Sequence, residues 1–254
     1  IFRILLPLQK ENEVNDLLMK KFDIENYIAQ LSMDCVIFGY EQKTLKVLIS
    51  KFKFGKESWV LPGGYIRKTE SINGAATRVL KERTGLENIY LEQFHVFGSL
   101  ERYIPEAMEM IMKGGGNSPV EDCWLLDRFI SVGYYALINY ESVNPQPDEL
   151  SDSCCWYNID QLPTLMQDHT MIVEKALETL RDNLDKKLVG MNLLPERFTM
   201  KELQTVYELI LGQNIRRTTF QRSMLAKGIL NRHEKQFTGK SHKAPFLYSF
   251  KKDL

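Results

Sequence analysis

The stretch of sequence that decides the fold is residues 64–86, GYIRKTESINGAATRVLKERTGL. Gly64 belongs to a glycine pair at which the chain must turn sharply. Residues 71–84 then show apolar side chains at helical spacing, and Gly85 is the typical signal that ends a helix. The pattern predicts a loop, a helix and a second loop in immediate succession.

The spacing within this stretch resembles the Nudix box, G-x5-E-x7-R-E-U-x-E-E-x-G-U, where U is a bulky aliphatic residue. The positions that match are Gly64, Glu70, Arg78, Leu80, Glu82, Gly85 and Leu86. In that family, helix carboxylates on one face hold magnesium against a substrate diphosphate. The resemblance covers about residues 30–187 and implies an α/β fold, a Nudix-like α/β/α sandwich.

Two carboxylate positions of the box are changed in this chain. Val79 offers no oxygen ligand, and Arg83 places a fixed positive charge where a divalent cation would sit. We therefore expect no metal site, no cofactor, no catalytic residue and no hydrolase activity. For Glu82 two interpretations stay open, an ion pair with a neighbouring arginine or a contact with an effector.

Composition indicates a globular protein with one large or two modest domains, since the chain has 254 residues, of which 44% are hydrophobic and 26% charged. No apolar run approaches the roughly 18 residues of a membrane span. The cysteines lack the spacing of a zinc site or a disulfide framework: Cys35, Cys123, Cys154 and Cys155. We expect a cytoplasmic protein that has no membrane partner.

The net charge of zero hides a strong asymmetry along the chain. Residues 193–254 contain 12 lysines and arginines against 5 acidic residues, a net charge of +7, and the remainder carries −7. A basic part on an acidic body is typical of a protein that binds a polyanion. We divide the chain into an N-terminal leader segment or helix at 1–30, a first domain at 31–190 and a second at 191–254.

The first domain is predicted to be built mainly of strands. Runs of β-branched residues predict a hairpin at 33–50. Further elements are predicted in this order: strands at 89–97, 129–139 and 154–157, and a closing helix at 170–184.

The second domain shows the order of a winged helix-turn-helix. Thr199 and Glu202 form a capping box before an amphipathic helix. A second helix is predicted at 215–227, and a basic hairpin follows at 229–236 and 245–250. Two helices joined by a tight turn and followed by such a hairpin are typical of DNA-binding winged helices.

The helix at 215–227 is predicted to read the major groove. Phe220, Met224 and Leu225 are expected toward the core, which leaves a polar outward face. The predicted DNA-binding residues are Arg216, Arg217, Thr218, Thr219 and Arg222 on this helix, and Lys240, His242 and Lys243 at the hairpin tip. The alternative is a solvated surface helix.

Taken together, the two domains resemble the Nudix-related transcriptional regulators of the NrtR type, in which a Nudix domain senses an effector. Three further stretches carry the resemblance: Phe97-Gly98 followed by Arg102, residues 128–137 and residues 246–250. The resemblance implies a homodimer, bound to a palindromic operator in double-stranded DNA. It also implies that an effector controls the complex.

The effector is expected to bind around the former catalytic position. The predicted residues are Trp59, Glu70, Glu82, Arg83 and Asp127, and the inserted segment 103–126 is expected to fold over them as a lid. Known effectors in the family are ADP-ribose and, in the arabinose-responsive AraR branch, L-arabinose. The chain is expected to resemble the arabinose-responsive branch, and this resemblance is the main reason to expect L-arabinose. A slighter reason is that an uncharged sugar is bound by hydrogen-bonding carboxylates, amides and an aromatic face.

The main prediction is therefore a repressor that releases its operator when L-arabinose binds. Arg83 favours the alternative, an ADP-ribose-responsive regulator of NAD metabolism, since a guanidinium can hold a phosphate. A second alternative is an active Nudix hydrolase with an accessory DNA-binding domain, which would need carboxylates at positions 79 and 83. A third is an interaction scaffold, for which a neutral or acidic tail would be more suitable than a charge of +7.

Overall fold

The computed structural model describes residues 26–41, 44–53, 58–87, 89–103, 109, 124–148, 151–184, 193–236 and 244–251. The predicted leader, apart from its last five residues, lies outside this part of the chain, as do Lys240, His242 and Lys243. None of the described helices is long and apolar enough to cross a membrane.

The first domain is built on a mixed sheet of seven strands. The strands are β1 (Tyr27–Glu41), β2 (Thr44–Phe52), β3 (Trp59–Val60), β4 (Gly63–Arg67), β5 (Leu91–Phe97), β6 (Ile130–Asn139) and β7 (Ser151–Asn158). The order β3-β2-β1-β6-β5 forms the central path, with β4 paired to β1 and β7 to β2. The predicted hairpin is confirmed as β1 and β2, and β1 begins four residues before the predicted domain boundary.

Two helices cover opposite faces of this sheet, α1 (Ile72–Thr84) and α2 (His169–Asn183). Successive residues of β1 point to opposite faces, so Val36 belongs to the core that includes α2. Its neighbour Cys35 belongs to the core that includes α1. This arrangement confirms the predicted α/β/α sandwich.

The segment that decides the fold has the predicted local structure. Ser71 caps α1, because its side chain accepts a hydrogen bond from the backbone N–H of Gly74 at 3.0 Å. Gly85 ends the helix with φ of 72°, a left-handed conformation that favours glycine. At Gly63 a Cβ atom would lie 2.7 Å from the carbonyl oxygen of Met33, so only glycine permits this close approach of β4 to β1.

The second domain has the predicted winged helix-turn-helix order. Its elements are β8 (Phe198–Thr199), α3 (Met200–Leu211), α4 (Arg217–Ala226), β9 (Leu230–Lys235) and β10 (Phe246–Phe250), and the sheet order is β8-β10-β9. The capping box between Thr199 and Glu202 is present. The short strand β8 was not predicted, because two residues give no periodic signal.

One prediction about α4 is wrong. Phe220 and Met224 are buried as expected, but Leu225 is 45% exposed. Phe220 and Met224 are four residues apart and lie above one another, whereas the next residue is rotated away by about 100°. Leu225 therefore belongs to the outer side of the helix.

The two domains share one apolar core. Ile172 of α2 and Leu203 of α3 belong to the same cluster of buried side chains. At the far end of α2, Arg181 Nε donates a hydrogen bond to the carbonyl oxygen of Ile210 at 2.6 Å. The winged helix is thus joined to the helix that covers the sheet of the first domain.

Candidate effector cavity and nucleic-acid interface

The ion pair between Arg78 and Glu70 ties the box helix to the loop before it. Arg78 donates from Nε and Nη2 to the Glu70 carboxylate at 3.1 and 2.7 Å, and from Nη2 to the carbonyl oxygen of Tyr65 at 3.0 Å. The backbone N–H of Arg67 donates to Glu70 at 2.9 Å. The hydrogen bond from Arg78 is the main reason why the pKa of Glu70 is lowered.

The rest of the box does not fit a magnesium ion. Val79 is buried in the core at 1% exposure, and Arg83, at 6% exposure, forms an ion pair with Asp148. The Glu82 side chain is 44% exposed and lies 3.5 Å from Arg78, in agreement with the ion-pair interpretation. Among the described residues no group of three or more His, Cys, Asp and Glu could hold a metal ion. Magnesium needs several oxygen ligands, which this face of α1 does not offer.

A cavity of about 170 Å³ lies beside the box and is lined by residues from both halves of the first domain. Its polar side chains are Ser32, Asp34, Ser50, Arg83, Arg102, Asp127, Asp148, Ser151, Gln167 and His169. Two of the five predicted effector residues, Arg83 and Asp127, line it. Asp127 also accepts a hydrogen bond from Gln30 at 2.6 Å.

The other three predicted effector residues do not line the cavity. The ring of Trp59 packs edge-on against Tyr157, with 5.1 Å between the ring centroids. Glu70 is held by Arg78, and Glu82 lies on the outer side of α1. These predictions rested on nearness to the box in the sequence, and pairing within the sheet and the loop–helix directs the side chains elsewhere.

One group of titratable residues in and beside the cavity was not predicted as a site; Asp34, Arg102 and His169 of this group line the cavity. Arg102 Nη1 donates to both carboxylate oxygens of Asp168, at 2.6 and 2.5 Å, and Nη2 lies 3.6 Å from Asp34. His169 Nδ1 accepts a hydrogen bond from the backbone N–H of Leu61 at 3.0 Å. The other ring nitrogen, Nε2, lies 3.8 Å from a carboxylate oxygen of Asp34. We call Asp34, Arg102, Asp168 and His169 the Arg102 cluster.

In the sequence, Arg102 stands out only as part of the Phe97-Gly98 motif. Its partner Asp168 is 66 residues away in the chain, so no local spacing connects them. The signal that could have found the pair is the position of Asp168 immediately before α2, where an acidic residue normally caps the helix. Here Asp168 makes no side-chain cap bond, because Arg102 occupies its carboxylate.

Aromatic rings form one wall of the cavity. Tyr65 and Phe129 line it, with ring centroids 5.4 Å apart, and Trp124 packs against both at 5.5 and 5.6 Å. Trp124 belongs to the inserted segment that was predicted to act as a lid. Residues 104–108 and 110–123 of that segment lie outside the described part, while Leu125 and Leu126 at its C-terminal end line the cavity.

The second domain presents a polar, basic surface along α4. The five residues predicted to bind DNA at the start and along the outer side of α4 are all exposed: Arg216, Arg217, Thr218, Thr219 and Arg222. Arg216 precedes the helix without a side-chain cap bond. In the wing, the Arg232 guanidinium lies 3.5 Å above the ring of Phe246, and Lys235 lies 5.2 Å from it.

Residues 29–178 match the NUDIX domain family. The chain belongs to the Nudix family. Residues 190–250 match the NrtR DNA-binding winged helix domain. The predicted architecture, a Nudix domain followed by a DNA-binding winged helix, is confirmed.

Similar proteins match more of the chain than its Nudix domain alone. The chain is 28% identical over 206 residues to the ADPR responsive transcriptional repressor NtrR of Acinetobacter baylyi, which covers 79% of this chain and 74% of that protein. It is 29% identical to Shewanella oneidensis NrtR, with a TM-score of 0.67 and coverage of 87% and 94%. The crystal structure of that protein with a 27mer DNA gives 27% identity, a TM-score of 0.66 and the same coverage.

These comparisons do not support the expected resemblance to the arabinose-responsive branch. The Acinetobacter relative is described as ADPR responsive, which corresponds to the alternative effector considered for this Nudix domain.

Proposed function

We propose that the chain is a transcriptional repressor whose winged helix binds operator DNA and whose Nudix domain senses ADP-ribose. The observation that carries the proposal is that the buried guanidinium group of Arg102 lines a cavity of the Nudix domain and already makes paired hydrogen bonds to a carboxylate. Guanidinium groups hold phosphates through paired, charge-assisted hydrogen bonds. The ADPR-responsive relative supports the same effector.

The cavity offers ADP-ribose two kinds of contact. The diphosphate would take N–H donors of Arg102 that now serve Asp168, and the adenine would stack on the aromatic wall of Tyr65 and Phe129. ADP-ribose is a ligand here and not a substrate, because Val79 and Arg83 occupy two carboxylate positions of the box.

Helix α2 supplies a route from the cavity to the DNA-binding helix. Its N-terminal end carries Asp168, the partner of Arg102, and near its C-terminal end Arg181 donates to Ile210 of α3. The turn after α3 is held by Glu208, which accepts a hydrogen bond from the backbone N–H of Ile215 at 2.8 Å. An effector that takes Arg102 from Asp168 would therefore displace α2, and with it the start of α4.

The DNA-bound form is proposed to be a homodimer on a palindromic operator. Two copies of α4 related by a two-fold axis would enter the major groove at half-sites about one helical turn apart. Arg232 and Lys235 in the wing would contact phosphates, which position the protein without reading the sequence.

A free pentose such as L-arabinose remains a second candidate effector because of two observations. The cavity of about 170 Å³ is smaller than the roughly 300–1,000 Å³ of most ligand clefts, so it suits a monosaccharide or one part of a larger ligand. Moreover, Arg83 and Arg102 each have an aspartate partner, Asp148 and Asp168, which reduces the attraction of the site for a dianion.

The deciding experiment measures operator affinity with each ligand. A duplex selected by the protein from a random pool is titrated with the full chain, and ADP-ribose or L-arabinose is then added. We expect ADP-ribose at saturating concentration to release the duplex. Release by L-arabinose alone would make the second candidate the effector, and a protein that selects no DNA would refute the repressor proposal altogether.

A further inference from the structure

Buried polar atoms without a partner are concentrated in the effector cavity. Within the part of the chain that the structure describes, Arg83 Nε, Arg102 Nε and Ser151 Oγ are buried without a hydrogen-bond partner, and all three residues line the cavity. Ser50 Oγ, also in the lining, has only the weakly bonding Cys154 thiol beside it. Their residues are between 2% and 6% exposed.

Such a concentration points to a ligand. Folded proteins pair nearly all of their buried polar groups, and the exceptions need a reason. Of the described residues with such an orphaned atom, only Trp156 lies away from the cavity lining. A ligand that carries both hydrogen-bond donors and acceptors could pair with all four unpaired atoms of the lining residues.

Four of the lining residues form a compact group, which we call the Arg83 cluster: Ser50, Arg83, Asp148 and Ser151. Arg83 forms an ion pair with Asp148, and the backbone N–H of Ser151 donates to the carbonyl oxygen of Asp148 at 3.2 Å. Ser50 lies opposite Cys154 in the pairing of β2 with β7, and Ser151 begins β7. The cluster therefore brings guanidinium, hydroxyl and carboxylate groups to the same cavity.

We propose that the Arg83 cluster binds the vicinal hydroxyls of a pentose ring. A sugar hydroxyl both donates and accepts, so it can pair with Arg83 Nε and with the Asp148 carboxylate at once. A phosphate only accepts, and the negative charge of Asp148 repels it. This inference rests on the proposed effector site and assigns its chemistry: the pentose is either the ribose of ADP-ribose or a free pentose.

The test compares three ligands on the full chain by calorimetry, with Ser151→Ala as the variant. The ligands are ADP-ribose, L-arabinose and sodium pyrophosphate, which supplies a diphosphate group without a sugar. Ser153→Ala is the matched control, because it makes the same substitution in β7 at a residue outside the cavity lining.

We expect Ser151→Ala to lower the affinity for the pentose-containing ligand about three- to tenfold, which corresponds to the loss of one neutral hydrogen bond. Ser153→Ala should leave this affinity unchanged. Binding of ADP-ribose identifies a nucleotide as the source of the pentose, and binding of L-arabinose identifies a free sugar.

Because Ser151→Ala removes an unpaired buried hydroxyl, the ligand-free variant should melt at the wild-type temperature or above it. A loss of affinity without a loss of stability excludes a folding defect.

Three results would overturn the pentose subsite. The first is that Ser151→Ala binds both pentose ligands with unchanged affinity. The second is that pyrophosphate binds as tightly as ADP-ribose. The third is that neither pentose ligand binds. The proposed function fails separately. If ADP-ribose releases the operator from wild type and from Ser151→Ala at the same concentration, the repressor stands and the subsite does not.

Discussion

At the scale of single residues, Arg83 shows how one position can change the chemistry of a domain. The Nudix pattern has a carboxylate here, on a helix face that would hold a cation. A guanidinium at the same place cannot ligate a metal, and in this structure it turns to Asp148 and lines a cavity. The loop–helix persists because Arg78 and Glu70 still pair.

The first prediction is that the purified protein does not hydrolyse ADP-ribose in the presence of magnesium or manganese. Val79 and Arg83 remove the oxygen ligands that a divalent ion needs. Product formation is followed by chromatography against a blank without enzyme. Turnover well above the blank, and lost in Glu82→Gln, would show that the box still works as a catalyst.

The second prediction concerns the pH dependence of stability. Glu70→Gln should lower the free energy of unfolding by about 1–3 kcal/mol at pH 7, because it breaks charge-assisted hydrogen bonds with Arg78. The pKa of Glu70 is lowered in the folded state, so this stabilisation is complete above the unfolded-state pKa of about 4.3. It is lost as the pH falls through the folded-state pKa.

Urea unfolding of wild type and Glu70→Gln at pH 7 and near pH 3 measures this difference. Glu87→Gln is the control, since Glu87 pairs with Lys81 at the exposed surface. A stability difference between wild type and Glu70→Gln that is equally large at both pH values would contradict the assignment.

At the scale of elements, α4 has one buried side that packs on the winged helix core and one exposed polar side that can contact DNA. Buried Phe220 and Met224 fix one side of it, and Tyr207 of α3 packs edge-on against Phe220 with 5.1 Å between the rings. The outward side then carries Thr218, Thr219 and Arg222, all exposed. A helix anchored on one side and polar on the other suits insertion into a major groove.

The third prediction is that Arg222→Ala weakens binding to a selected operator by about 1–3 kcal/mol and relaxes its sequence preference, as expected if Arg222 pairs with a base. Lys68→Ala is the charge-matched control, because Lys68 is exposed in the Nudix domain. Fluorescence anisotropy at several salt concentrations separates the loss of a base contact from the loss of a phosphate contact. Unchanged operator affinity would mean that another face of α4 meets the DNA.

At the scale of the whole molecule, α2 belongs to both functional parts. It closes the sheet of the Nudix domain, begins at the Arg102 cluster and ends against α3. Its buried residues Ile172, Ala176 and Leu180 lie in the core that also includes residues of the winged helix. In the proposed mechanism, a displacement at one end of α2 would reach the other end through these packed side chains.

The fourth prediction is that Arg181→Ala reduces the coupling between effector and operator. The substitution removes the hydrogen bond from α2 to Ile210 but leaves the cavity and the outward face of α4 intact. Each ligand alone should bind with nearly wild-type affinity. The factor by which ADP-ribose weakens operator binding should fall toward one, and by linkage the reciprocal factor must fall equally.

The control for this experiment is Lys175→Ala, which also removes a cation from α2. Among the described residues, the ion-pair partner of Lys175 is Glu178, on the same helix. Both variants are titrated with operator at zero and saturating effector. If Arg181→Ala keeps the wild-type coupling factor, the signal travels by another route.

Elements that depend on local patterns could be predicted from the sequence. Side-chain spacing and helix caps act within a few residues of the chain. They predict the box helix that ends at Gly85, the hairpin of β1 and β2, and the capping box at Thr199. The charge division likewise pointed to a DNA-binding second domain, which the family comparison bears out.

Only the tertiary structure decided which residues line the cavity. Arg102 meets Asp168 across 66 residues, and Arg83 meets Asp148 across 65, so no local spacing predicts either contact. The same pairing directs Trp59 away from the cavity, although it stands close to the box in the sequence. Local interactions select the helices and strands, whereas the neighbours of a buried polar group are set by the packing of distant segments.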